Sequence, residues 1–222
     1  MPHVLTPSQA LAGTVDALLL LVQLALLRSV VVSELISLYA VQATLVALIC
    51  LAIGISLHAA DLIALAVLTL LTKAIALPAY MRALLTRVPS RVELPARINV
   101  TLSILIAAGL IGLAMLTAAR LPIRGGAFLP SADLATTLSI VFVGFLVAIL
   151  RPNALAQVVA FLTLDDGLFF GTVTLAPGLP FVVGVLLLID VLVAVFVFSV
   201  LVRILVEQRA SASIAPLEQL RG

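Results

Sequence analysis

Five ionisable side chains, Asp16, Lys73, Asp165, Asp166 and Asp190, sit inside stretches of sequence that are otherwise apolar. A charge near the centre of a bilayer costs about 2.5 to 3.5 kcal/mol on insertion scales, so five of them facing lipid would oppose insertion by about 12 to 18 kcal/mol. They are therefore expected to face protein or water. An acid without a basic partner in a low dielectric holds its proton more tightly and can exchange it near neutrality, which is what a proton relay requires. A lone Asp–Lys pair could simply neutralise itself and fix helix register, but with one lysine at least two of the four deep acids lack a basic partner. Asp165 and Asp166 are about 100° apart on a helix, so one is expected to point inward while the other reaches a neighbouring helix or water.

The elements that must position these groups follow from composition. The chain of 222 residues is 64% hydrophobic and 10% charged, with a mean hydropathy of +1.37, well outside the range of soluble domains. The expected fold class is an all-α polytopic membrane protein with no soluble catalytic or nucleotide-binding domain. Apolar runs long enough to cross about 30 Å of hydrocarbon number about seven, at approximately 10–28, 34–57, 61–82, 97–119, 131–150, 153–176 and 180–203. They lack two-residue alternation and are too long for barrel strands, which favours helices. The N-terminal MPHVLTPSQA has no basic region, so the first run is expected to be a retained span and not a cleaved signal peptide.

Seven spans place the connecting segments alternately on two sides. Arg28, Arg82, Arg87, Arg91, Arg97, Arg151, Arg203, Arg209 and Arg221 fall on one side, and only Arg120 and Arg124 on the other. The bias predicts an external N-terminus and a cytoplasmic tail. It also explains the net charge of +2 and pI of 9.2 without a nucleic-acid partner; the partner expected is the lipid bilayer. The third loop, TRVPSRVELPARI, combines Pro89 and Pro95 with charge and marks the main internal boundary. It ends an N-terminal three-helix segment, 1–90. A fourth helix with its loops occupies 91–130, a three-helix segment 131–205 and a tail 206–222.

Depth connects the acids to one another. Lys73, Asp165 and Asp190 lie roughly 10 to 12 residues past the starts of their spans, which at about 1.5 Å rise per residue brings all three near the midplane. Asp16 is shallower. On the second span Glu34, Ser37 and Thr44 fall within about 80° of arc, and Gln42 lies about 80° to the other side of Glu34, widening that strip without lining it. Gln23 follows Asp16 by seven residues, and Thr69 lies one turn before Lys73. Gly167 leaves room for a close helix or for a π-bulge, and Pro78 favours a kink near Lys73. Glu34 and Asp16 are expected as the ends of a relay.

Chemistry of other kinds finds no support. There is no Walker loop, GxGxxG, HExxH or cysteine cluster. The single cysteine, Cys50, excludes an internal disulfide and a thiolate cage and reads as a small buried hydrophobe. His3 and His58 fall at the external border, where a solvated role is expected. No catalytic, cofactor-binding or metal-ligating residue is assigned.

Three segments, LTKAIALP (Leu71 to Pro78), RPNALAQVVAFLTLDDGLFF (Arg151 to Phe170) and VGVLLLIDVLVAVFV (Val183 to Val197), together resemble the component E membrane subunits of hydrogenase-4 and formate hydrogenlyase-type complexes. The likeness lies in the Thr-Lys followed by Pro, in the Arg-x-Asn before an acid and Gly in mid-helix, and in a last span with one central Asp. The family's Glu-Asn-Gly stands here as Asp165-Asp166-Gly167, so Asp165 matches the acid and Asp166 replaces an amide. Its last three helices are similar to the K subunit of respiratory complex I and to the C subunit of Mrp-type cation/proton antiporters.

The resemblance implies a non-catalytic, proton-translocating subunit of a group 4 [NiFe]-hydrogenase-like assembly in the bacterial or archaeal cytoplasmic membrane. It further implies antiporter-like membrane partners, and [NiFe] and Fe–S centres only in partner subunits. Asp165 and Asp190 would be the proton-exchanging acids, Lys73 their charge partner and Asp166 a secondary site. Alternatives are a subunit of a cation/proton antiporter or other ion-coupled complex, and a structural membrane scaffold.

Overall fold

Leucine, alanine and valine in long runs have no partner for a β-ladder within hydrocarbon, and the helix alone satisfies every backbone group within one segment. The computed structural model, which describes residues 7–86, 99–121, 130–176, 186, 189–204 and 206–207, is accordingly helical, with no strand among the described residues. Helix α1 (Pro7–Arg28) turns through three residues into α2 (Val32–Ser56). Helix α3 (Ala60–Thr69) continues into a π-helical segment (Leu70–Ala76) and then α4 (Leu77–Leu85), the three forming one span, Ala60–Leu85. Helices α5 (Val100–Arg120), α6 (Pro130–Leu150) and α7 (Ala154–Leu175) follow. Among the described residues, six helices are thus long and apolar enough to cross a membrane. The expected run at 180–203 lies partly outside the described residues, which are helical at 189–204.

Local signals set where α5 and α7 begin. The side chains of Asn99 and Asn153 accept hydrogen bonds from Thr101 N and Leu155 N, each satisfying a backbone donor that a helix start leaves open. At the other end of α2, His58 takes a φ of 51° in the turn to α3 and is exposed.

Helix α7 is the axis of the bundle. Of its apolar window 72% is buried, against 22% for α5, and it packs on both α6 and α2. Contacts of α2 with α7 and of α1 with α5 and α6 join the first helices to the later ones. Gly167 and Gly171, one turn apart on α7, allow the close approach to α6. A Cβ at Gly167 would lie 2.7 Å from Ile140 Cγ2, and one at Gly171 2.7 Å from Thr137 Cγ2. Such small-xxx-small spacing lets helix backbones come together where the hydrophobic effect gives no net drive.

Of the two roles expected for Gly167, a close helix or a π-bulge, the structure shows the first. Helix α7 runs unbroken through Gly167, which serves close packing alone, and the π turn lies in the third span, around Lys73. Pro78 follows that π segment within the same continuous span, so its ring and missing N–H fall where the regular backbone ladder has already shifted, Leu77 N–H bonding Thr72 O. Cys50 is fully buried, its thiol directed at Leu62 O at 3.5 Å, in line with the small buried hydrophobe expected.

Candidate charged site at the centre of the bundle

The π segment carries one more residue per turn than an α-helix allows and so re-aims its side chains, a feature frequent at functional sites. It presents Lys73, 1% exposed, to the interior. Lys73 Nζ is ion-paired with Asp165, lies 3.2 Å from Asp166 Oδ1 and is 3.5 Å from Asp190 Oδ2. The ring of Phe169 stands with its centroid 5.7 Å from the same nitrogen, near enough to add a cation–π attraction. Three separate helical stretches therefore deliver Lys73, Asp165, Asp166 and Asp190 to one place.

The four are not equivalent. The side chain of Asp166 is fully buried, whereas those of Asp165 and Asp190 are 34% and 32% exposed on the flank of the bundle. Of the adjacent acids, Asp166 is the one that points inward. A cavity of about 160 Å³ adjoins Asp190, lined also by Val158, Phe161, Leu162, Val193 and Ala194. One ammonium cannot neutralise three carboxylates, and an uncompensated charge in an interior of low dielectric is strongly disfavoured. The group thus suits proton uptake and release, because each proton taken up by a carboxyl brings it closer to charge balance, which is reached when two of the three are protonated.

Polar side chains on α1, α2 and α7 continue from this cluster. Gln23 Nε2 donates to Gln42 Oε1 at 2.8 Å, and Gln42 Nε2 donates to Thr163 O at 3.1 Å. Gln42 is fully buried and lines the interior. Glu34 is exposed, and Ser37 and Thr44 are half-buried with their hydroxyls turned back to Ser33 O and Ala40 O. The expected polar strip is therefore corrected: helix α2 rotates its Gln42 and Tyr39 face inward, and the Glu34 face outward. Tyr39 is fully buried within electrostatic reach of Asp165, Asp166 and Asp190.

The remaining acids form two other groups. Asp16 on α1 is buried beside Asp133 on α6 and hydrogen-bonds Thr136. Glu34 stands at the α1–α2 turn, where Ser29 Oγ donates to its Oε2 at 3.3 Å, and with Arg28, Ser29 and Ser37 it lines a cavity of about 300 Å³. Arg82 Nη2 donates to Ser37 Oγ at 3.1 Å beside it. Neither Glu34 nor Asp16 belongs to the contacts of Lys73.

Tyr39, Asp133 and Arg151 carry roles that sequence reasoning missed. Arg151, counted among the loop charges, is 2% exposed and donates through Nη2 to Leu27 O at 2.8 Å and Ser29 O at 2.6 Å, fixing the α1–α2 turn. Burial lowers its affinity for its proton from the ordinary guanidinium value. One signal was available for Tyr39, which lies three residues before Gln42 and so shares its face. Comparison with models of known families, with curated proteins and with solved structures finds no match.

Proposed function

We propose that this chain is a non-catalytic, proton-translocating membrane subunit of a group 4 [NiFe]-hydrogenase-like, complex I-related assembly. In this reading it has seven spans, an external N-terminus and a cytoplasmic tail, and works in a bacterial or archaeal cytoplasmic membrane. Its neighbours are antiporter-like membrane subunits, and the metal centres belong to other subunits. The observation that carries the reading is the meeting of Lys73 with three carboxyl groups, Asp165 and Asp166 from α7 and Asp190 from the helical residues at 189–204, in an apolar bundle. Charge balance there changes with each proton gained or lost, and the lysine tunes how readily an acid gives its proton up. The resemblance of the segments around Lys73, Asp165 and Asp190 to component E subunits supplies the kind of assembly.

The test is proton pumping by the assembled complex in vesicles. Replacing Asp165 and Asp190 together by Asn is expected to lower pumping by roughly tenfold or more, as removal of an obligatory proton donor does. Unchanged pumping with the complex intact would overturn the reading.

A second reading, a purely structural scaffold, is favoured by the direct pairing of Lys73 with the acids. It predicts that Lys73→Met combined with Asp166→Leu leaves assembly and pumping unchanged, since an apolar pair can replace a buried ionic one. The proton-carrying reading expects assembly with pumping lost.

A further inference from the structure

Four buried polar atoms on α1, α2 and α7 have no hydrogen-bonding partner among the described residues: Gln23 Oε1, Tyr39 Oη, Thr163 Oγ1 and Asp166 Oδ2. Their residues belong to one connected region. Gln23 bonds Gln42, and Gln42 bonds the carbonyl of Thr163. Tyr39 lies three residues from Gln42 on α2, and Thr163 three residues from Asp166 on α7, so each pair shares a helix face. Asp166 Oδ1 in turn faces Lys73. The orphaned atoms are thus strung from α1 to the charged cluster along a single interhelical seam.

Native structures leave few buried polar atoms without a partner, and four of those present here belong to residues of this one seam. Their chemistry is matched by one small ligand. Gln23 Oε1 and an ionised Asp166 Oδ2 only accept hydrogen bonds, while the hydroxyls of Tyr39 and Thr163 both donate and accept. Molecules that each donate twice and accept twice can bridge them in turn, and buried water typically makes about three such bonds to otherwise unsatisfied groups.

We propose that the α1–α2–α7 seam is a binding site for ordered water, which links Asp166 through Tyr39 and Thr163 to Gln23 on α1. The site runs between α1, α2 and α7 from Gln23 to Asp166 and, apart from Asp166, involves residues that the charged cluster itself does not contain. Its existence is independent of proton transfer. Where the function proposed above holds, the seam gives Asp166 a second proton neighbour on the side of α2.

The experiment reads water directly. Brief X-ray irradiation of the full chain in detergent makes hydroxyl radicals from bound water in place, and mass spectrometry locates the oxidised side chains. Tyr39, Phe170 and Phe198 are all fully buried. A hydrated seam oxidises Tyr39 several-fold faster than Phe170 or Phe198. A second measurement uses Thr163→Val, which keeps the side-chain shape and removes the hydroxyl. If water bonds Thr163, the change breaks a hydrogen bond and lowers the unfolding temperature by about 2 to 4 °C for each kcal/mol lost. If the hydroxyl is dry and unpaired, removing it raises that temperature. Oxidation of Tyr39 no faster than that of the two phenylalanines, or a Thr163→Val protein that melts higher, overturns the proposal. Neither measurement depends on transport, so failure of the proposed function and failure of the seam are told apart.

Discussion

Two groups of acids share this bundle and meet their environment in different ways. Around Lys73, three acids converge on one ammonium, and the contacts tie the third span to α7 and to the helical residues at 189–204. Around Asp16, a second acid and a hydroxyl, Asp133 and Thr136, are the neighbours, and no ion pair to Asp16 forms among the described residues. The first arrangement gains direct Coulomb attraction, much strengthened away from water, and depends on every helix keeping its place. In the second, Asp16 gains no attraction from Asp133 and has its hydrogen bond with Thr136. The lysine is what turns a set of acids into a tertiary lock, and it should be the most sensitive single residue in the chain.

Lys73→Met tests that difference most severely. Removing one partner of a buried ionic group strands the others, a loss of about 3 to 5 kcal/mol. The chain contains no tryptophan and one cysteine. Because Cys50 is fully buried, a thiol-reactive dye added during heating reports unfolding at that one position. The substitution should lower the midpoint by more than any other single change proposed for this chain. A shift no larger than that of Asp16→Asn would mean that the lysine group is no lock.

Gly167→Val and Gly171→Val address how α7 serves both groups at once. A Cβ at Gly167 presses on Ile140, and one at Gly171 presses on Thr137, the neighbour of Thr136. Overpacking of this kind costs about 1 to 3 kcal/mol. The valine at 167 adjoins Asp166 and should loosen the Lys73 contacts. The one at 171 should disturb the Asp16 side and leave Lys73 paired. Reactivity of Lys73 toward a small amine-modifying reagent separates the two, rising in the first variant and staying low in the second. Equal reactivity in both would show that the glycines only set overall spacing.

What the sequence discloses about these groups divides along a physical line. Depth along a helix follows from a constant rise per residue, so the convergence of Lys73, Asp165, Asp166 and Asp190 in one layer was legible. Rotation about the helix axis depends on which neighbours a helix finds, and hydropathy carries little of that where α2 and α7 are apolar all round. Hence the inward face of α2 proved to be Tyr39 and Gln42 in place of Glu34, and Asp166 lies deeper than Asp165. The π segment was harder still, because it is set by packing around Lys73 and nothing in LLTKAIA specifies an extra residue per turn. Asp133 escaped notice as the third residue of its run, a position that reads as a border. Gly167 and Gly171 did leave a trace, the four-residue spacing of small residues.

Asp16→Asn gives the smallest effect and the finest distinction. At Lys73, neutralising an acid removes attraction along with repulsion. At Asp16, the acid faces Asp133, and Thr136 can bond an amide oxygen as well as a carboxyl oxygen. The substitution therefore keeps a hydrogen bond and removes only repulsion between like charges. The expected shift in stability is small, within about 1 kcal/mol, and in the stabilising direction. Since the repulsion requires both acids to be ionised, the gain should be largest at alkaline pH and shrink as the pair takes up a proton on acidification. Thermal midpoints of the two proteins measured across pH check this. A variant less stable than the parent at every pH would mean that Asp16 is held by attraction after all, and the contrast between the two acidic groups would collapse into a difference of degree.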